Sequence, residues 1–203
     1  MRSIPPARLM FTAAAAALSL SACSTMGGDM NDGGMSGASA STQGTVMVGG
    51  AAMYPTRTIV ENAVNSRDHT TLVAAVKAAG LVETLSGPGP FTVFAPTNSA
   101  FQKVPAATLQ AAMRPENKAM LQSVLTYHVV PGRLTAADLM QRIRAGGGQA
   151  RLTTVQGGTL TASMMGNRIM LTDAKGGTAH VTQGDVMQSN GVIHVTDSVS
   201  MPG

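Results

Sequence analysis

Phe91-Thr92-Val93-Phe94-Ala95-Pro96-Thr97-Asn98-Ser99-Ala100-Phe101 is the stretch that decides how this chain folds. Phe91 to Phe94 forms a short apolar strand, Pro96 turns the chain, and a helix follows. Thr97, Asn98 or Ser99 offers a side-chain oxygen to the first free N–H groups of that helix. Three of the protein's six Phe and Tyr side chains lie here, and the chain has no Trp. The segment therefore supplies much of the large-area packing.

Upstream, Gly87-Pro88-Gly89-Pro90 breaks the chain before the strand. Order is expected to begin near Tyr54. Thr58 to Val64 reads as a short helix, and a second follows with Asp68 as N-cap and Leu72, Val73, Val76 and Ala79 on one face. Gly80 stops it, and Leu81 to Leu85 makes one more turn. Downstream, Pro105 ends the helix after Phe101, and Thr108 to Met113 makes another. Pro115 then opens a helix through Leu125 with Met120, Leu121, Val124 and Leu125 turned inward. Tyr127 to Val130 reads as a strand ended by Pro131-Gly132, and Thr135 with Asp138 as a capping box. The last third is a run of strands: 150–155, 159–163, 168–172, 179–182 and 192–196, the last entered through Asn190-Gly191. A helical first half followed by a strand meander is an α+β domain.

Three blocks together resemble one family, the fasciclin-like (FAS1) domains. Phe91 to Phe101 is similar to the family's first signature, Tyr127-His128 to its central Tyr-His motif, and Asn190 through Pro202 to its second signature. The resemblance spans residues 54–203, a single copy. It implies a wedge-shaped β-sandwich of two sheets with several helices packed around the N-terminal half. It also implies adhesion, extracellular contacts and, in some bacteria, host association. Phe91, Phe94, Pro96, Thr97, Asn98, Phe101, Asn190 and Gly191 carry the structural motif.

Residues 1–22 have the plan of a secretory signal peptide: two arginines, then the apolar run Leu9 to Leu20, too short to span a bilayer. Leu20-Ser21-Ala22-Cys23 resembles the lipobox of bacterial lipoproteins. That resemblance implies cleavage before Cys23, a diacylglyceryl group on its thiol, and acylation, such as by palmitate, of the new amino terminus. Several chains anchor where one does not. Ser24 and Thr25 follow with no Asp, which by resemblance to proteobacterial sorting points to the outer membrane, facing the periplasm or the cell surface. Residues 23–53 are rich in Gly, Ser and Met and read as a flexible tether. Cys23 is the protein's sole cysteine, so no internal disulfide staples the fold.

Without Arg2 and Arg8 the chain has 12 basic and 10 acidic residues, scattered rather than clustered. With few aromatics to stack bases, this excludes a nucleic-acid binder. No G-x-S-x-G and no H-x-x-x-H spacing occurs, so no enzymatic function, metal site or cofactor is expected. His128 and His194 are the sharpest candidates, each read first as a structural hydrogen-bonding group. Tyr127, His128 and His194 are the candidate contact residues for a protein or cell-surface polysaccharide. Tyr127 and His128 point to opposite faces if they share a strand, and His69 and His180 read as surface residues. Asn98 is read as a helix cap. Two further readings rest on methionine. Some family members of photosynthetic organisms bind carotenoids, and Met113, Met120, Met140, Met164, Met165, Met170 and Met187 offer an adaptable apolar groove or simply fill the core. Met26, Met30, Met35 and Met47 offer soft sulfur ligands for copper at irregular spacing.

Overall fold

A computed structural model describes residues 44–203. The signal segment 1–22, Cys23 and the methionines Met26, Met30 and Met35 lie outside the described residues. Order starts earlier than Tyr54. Val46–Val48 (β1) and Ala51–Met53 (β2) pair antiparallel, turning at Gly49 and Gly50, both at positive φ. A Cβ on Gly49 would strike Ser66 and Asp68. The glycines that read as linker are what a tight turn laid against a neighbouring segment requires, so the tether does not reach residue 53.

The helical layer comes next. Ile59–Ala63 (α1) begins in a capping box between Thr58 and Glu61. Thr70–Ala79 (α2) ends at Gly80 in the left-handed conformation, and Val82–Ser86 (α3) follows. Asp68 does not cap α2, because it lies inside a tight turn at Arg67–His69. The Thr71 N–H is instead met by the Asn98 side chain at 3.0 Å.

After the strand Phe91–Pro96 (β3), Thr97 caps Asn98–Gln102 (α4), which leaves the Asn98 amide free to serve the other helix. Ala106–Ala112 (α5) and Lys118–Tyr127 (α6) complete the layer. On α6, Leu121 and Leu125 are buried and Val124 is half-buried, but Met120 is 59% exposed, contrary to the inward placement expected from spacing.

The Tyr-His pair is not on a strand. The His128 N–H still bonds the Leu125 carbonyl, so Tyr127 is the last residue of α6 and His128 its cap. Only Val129–Pro131 (β4) is extended. Aromatic strand propensity gives way here to a helix already propagating and packed on one face.

Ala136–Ala145 (α7) starts in the expected capping box of Thr135 and Asp138. Gln149–Thr153 (β5), Thr159–Met165 (β6), Arg168–Thr172 (β7), Thr178–Gln188 (β8) and Gly191–Thr196 (β9) finish the chain. The seven strands run in the order β4-β3-β9-β8-β7-β6-β5, with β3 and β9 parallel. β8 is long because it serves both halves. Thr178 to His180 pairs with β7, register shifts follow between Val181 and Val186, and the remainder pairs with β9. Such bulges bend a sheet. The two sheets of the implied sandwich are thus one sheet folded over, and the Val155 N–H reaches the Val129 carbonyl at 2.7 Å between its far edges.

Two cores result. Val93, Ala95, Ile193 and Val195 pack under the helices with Leu72, Val76, Leu85, Leu121 and Leu125. Phe94 enters the other core with Tyr127, Leu139, Ile143, Leu152, Leu160 and Leu171. Phe94 is 1% exposed, whereas Phe91 is half-buried. Phe94→Ala is expected to cost about 3–5 kcal/mol in urea unfolding and Phe91→Ala distinctly less. Equal losses would contradict this packing.

Candidate functional site

The sequence candidates converge on the junction where α6 meets β4. Tyr127 turns into the inter-sheet core, where its hydroxyl donates to the Thr159 carbonyl at 2.7 Å and accepts from the Ala174 N–H at 3.0 Å. One side chain thereby ties the end of a helix to the start of β6 and to the β7–β8 turn. Burial pushes its phenol above the ordinary value, partly offset by the Ala174 bond. His128 turns the other way, toward the helices, so the divergence expected of the pair holds although its origin is a helix end.

The His128 Nδ1–H donates to the Val124 carbonyl at 2.7 Å, and Nε2 accepts from the Ser200 N–H at 3.0 Å. A carbonyl can only accept and an amide N–H only donate, so these partners fix one neutral tautomer. His194 lies elsewhere, on β9. Its Nε2–H donates to the Leu134 carbonyl at 2.8 Å, the Asp185 N–H approaches Nδ1 at 3.4 Å, and the ring stacks on Phe94 with centroids 5.6 Å apart. Tyr127, His128 and His194 are all buried. The structure does not bring them together on a surface, so none of them can meet a partner directly in this fold.

The remaining histidines also differ from expectation. His69 is buried, with Nδ1 2.9 Å from the Ser66 hydroxyl, which itself donates to the Val48 carbonyl and so holds the β1–β2 hairpin. The Ala95 carbonyl is near the ring, but Nε2 has no aligned hydrogen bond. His180 is half-buried and meets the Asp197 carboxylate at 3.2 Å, with Lys103 4.0 Å from the same oxygen.

Several polar residues do the joining, and of these the sequence reading names only Asn190, as part of a turn and of the second signature. The Asn190 carboxamide accepts from the Ile59 N–H and donates to the Leu85 and Gly87 carbonyls, which fastens α1 and α3 to the β8–β9 turn. Buried Asn62 exchanges bonds with the Tyr54 backbone and bonds Gln188. Asp173 accepts from Lys175, Gly177 and Met201 N–H groups. Asn190 is signalled by Asn-Gly and Asp173 by the Asp and Gly-Gly of a turn, whereas Asn62 and Gln188 carry no signal.

The apolar cavities flanking His128 measure about 40 and 50 Å³, well below the roughly 150 Å³ that admits benzene. Neither is of the size an apolar carrier needs; a wider groove of about 600 Å³ lies open to solvent beside α4 and α5, lined by Thr71, Asn98, Phe101, Lys103 and Leu109 among others. Of the seven methionines, Met113, Met140 and Met164 are half-buried and pack against the two cores, Met170 and Met187 are half-buried, and Met120 and Met165 are exposed. Met47, on β1, is exposed too. Among the described residues no three His, Cys, Asp or Glu side chains gather as metal ligands would.

The fold and the three signature blocks now stand beside an independent match, since the fasciclin domain model covers residues 67–202. The chain belongs to the fasciclin-domain family. It is 45% identical to the protein named sll1483 of Synechocystis over 79% of this chain and 82% of that one. It is 35% identical to the immunogenic protein MPB70 of Mycobacterium bovis over 81% of this chain and 78% of that one. A FAS1 domain pair from the insect cell adhesion molecule fasciclin I superposes with a TM-score of 0.64, covering 70% of this chain and 50% of that one at 19% identity. That likeness supports the fold of this fasciclin domain.

Burial is the chief cause holding the His128 and His194 imidazoles below their ordinary value of 6.5, opposed by the carbonyl bonds each ring makes. The unfolded chain therefore binds protons that the folded chain refuses once the pH drops below 6.5. Stability is full above that pH and declines as pH falls through the lowered folded values. Urea titrations are expected to show a loss between about pH 6.5 and 5, above the range where ordinary carboxylates titrate. The loss should shrink in His128→Gln, and an unchanged pH profile in that variant would remove His128 from the effect.

Proposed function

We propose that this protein is a membrane-anchored, extracytoplasmic binding or adhesion module that contacts proteins or cell-surface polysaccharide and performs no catalysis. One observation carries the reading. The side chains most suited to acid–base work, Tyr127, His128 and His194, are buried and already bonded to the chain's own backbone. They hold elements together, and the cavities beside His128, about 40 and 50 Å³, are too small for a substrate. Family membership supports the same direction, since the solved structural neighbour comes from a cell adhesion molecule.

The anchor part of the proposal rests on Cys23 and the lipobox resemblance, with the tether giving the domain reach from a bilayer. A single domain has one copy of any contact surface, and crowding on a membrane supplies the avidity that tandem copies supply elsewhere. Acylation on Cys23 and export toward the outer membrane belong to this proposal. Among the described residues no helix is long and apolar enough to cross a membrane.

Two measurements test it. Cys23→Ser is expected to move the protein from the membrane to the soluble fraction; full retention with the membrane would refute lipid anchoring. Beads coated with the protein are expected to adhere to envelope preparations in a saturable way that free protein competes. Turnover of a substrate by the purified chain, or no competition, would overturn the binding reading.

A further inference from the structure

The face of β5–β8 opposite α7 points outward, engaged by the fold at its edge where His180 meets the Asp197 carboxylate at 3.2 Å. α7 packs on the inner side of β5, β6 and β7, where Leu152, Leu160, Ala162, Ile169, Leu171 and Ala179 are buried. The alternate residues point outward, and the strand register arranges them in rows. Arg151, Thr161, Thr172 and Thr178 lie opposite one another across four strands, as do Gln149, Ser163, Met170 and His180. Thr153 and Thr159 are paired above them, Met165 and Arg168 below. Neighbours in a row are about 4.8 Å apart and successive rows about 6.7 Å. The result is a surface with six Thr and Ser hydroxyls among Gln149, Met165, Met170 and His180, edged by two guanidinium groups.

Its charge is one-sided. Between Leu139 and Thr196 the chain has just two acids, Asp173 and Asp185. Asp173 is buried against backbone N–H groups, and Asp185 accepts from the Ala136 N–H at the start of α7. Arg151 and Arg168 are exposed, and so is Lys175 in the turn just beyond Thr172 and Thr178. Among the described residues the ion pairs are those of Asp197 with Lys103 and His180, so these three cations have no carboxylate partner.

We propose that this outer face of β5–β8 is the contact surface for an acidic, hydroxyl-rich polysaccharide, one bearing uronate carboxylates. The proposal rests on the adhesion reading above and names the partner for it. Guanidinium groups take carboxylates in bidentate fashion, and Thr and Ser hydroxyls both donate and accept, as sugar hydroxyls do. The face carries no Phe, Tyr or Trp, and its one imidazole, His180, is engaged with Asp197. Stacking on neutral sugars is therefore not available, and charge must hold the chain. The lack of aromatic anchors also sets it apart from a protein hot spot and from a single-strand nucleic-acid platform.

The full-length protein is tested by biolayer interferometry against immobilised polygalacturonate, neutral dextran, polyglutamate and an oligothymidylate. Binding to polygalacturonate is expected, weakening at least about tenfold between 50 and 300 mM salt as screening predicts, with no binding to dextran. Arg151→Glu/Arg168→Glu should reduce it at least tenfold. Arg114→Glu/Lys118→Glu, equal in charge but on the helical side, should leave it within twofold. Matched thermal melting of both variants excludes misfolding; if the first melts early, Arg151→Gln/Arg168→Gln replaces it. No binding, equal loss in the two variants, or equal binding to polyglutamate or oligothymidylate overturns the proposal. Envelope adhesion that survives in Arg151→Glu/Arg168→Glu would sink this face while leaving the adhesion module standing.

Discussion

The parallel pairing of β3 with β9 is the constraint on which the domain depends. Phe91 lies opposite Gly191, and the register continues to Pro96 opposite Thr196. A Cβ at position 191 would run into the Phe91 backbone, so only glycine lets the two strands start together. Each strand is covered on both faces, which is why β9 is buried along its whole length and both read as nearly continuous apolar runs. Joining parallel neighbours requires a long crossover. Most of the other elements belong to that crossover, since four helices, β4 and the β5–β8 meander lie between the two strands in sequence.

Polar side chains close the places where the crossover returns to the pair. Asn190 answers backbone groups of α1 and α3, Thr92 bridges Gly132 and Leu134, and Asp185 meets the first N–H of α7. Tyr127 and His128 do the same for the far half of the sheet and for the C-terminal segment. Each meets a backbone N–H or C=O at a turn or helix end that would otherwise be buried without a partner, a loss on the order of 1–3 kcal/mol apiece. The residues that look like chemistry in the sequence are there because irregular backbone is buried beside them.

This also decides what could be read from sequence and what could not. Strands β5 to β9 were legible because alternation and turn residues are local, as were the caps at Thr58 and Thr135. The first and second signatures were legible as blocks, but their adjacency in register is a property of the folded pair. Tyr127-His128 was misread as strand because two aromatic residues before Val-Val favour extension locally, while the helix packing that overrides them comes from Leu121 and Leu125 against β3 and α2. Asn98 was seen as a cap, yet the helix it caps is α2, some thirty residues upstream. Burial of His69 depends on the β1–β2 hairpin closing over it, in a stretch whose Gly-rich composition argued for no structure.

On the proposed adhesion reading, recognition is left to the surfaces that the pairing does not constrain. A side chain bonded at both ends inside the fold cannot vary or reach out without loosening a junction, whereas the outward positions of β5 to β8 touch nothing in the core. Substitution there costs the fold little, so those positions are free to take whatever composition a partner selects. In this chain they hold mostly threonine, serine and arginine, with Gln149, Met165, Met170 and His180, and no acid among them. β propensity accounts for the threonines. It does not account for the placing, on the sheet face opposite α7, of arginines that have no carboxylate partner among the described residues.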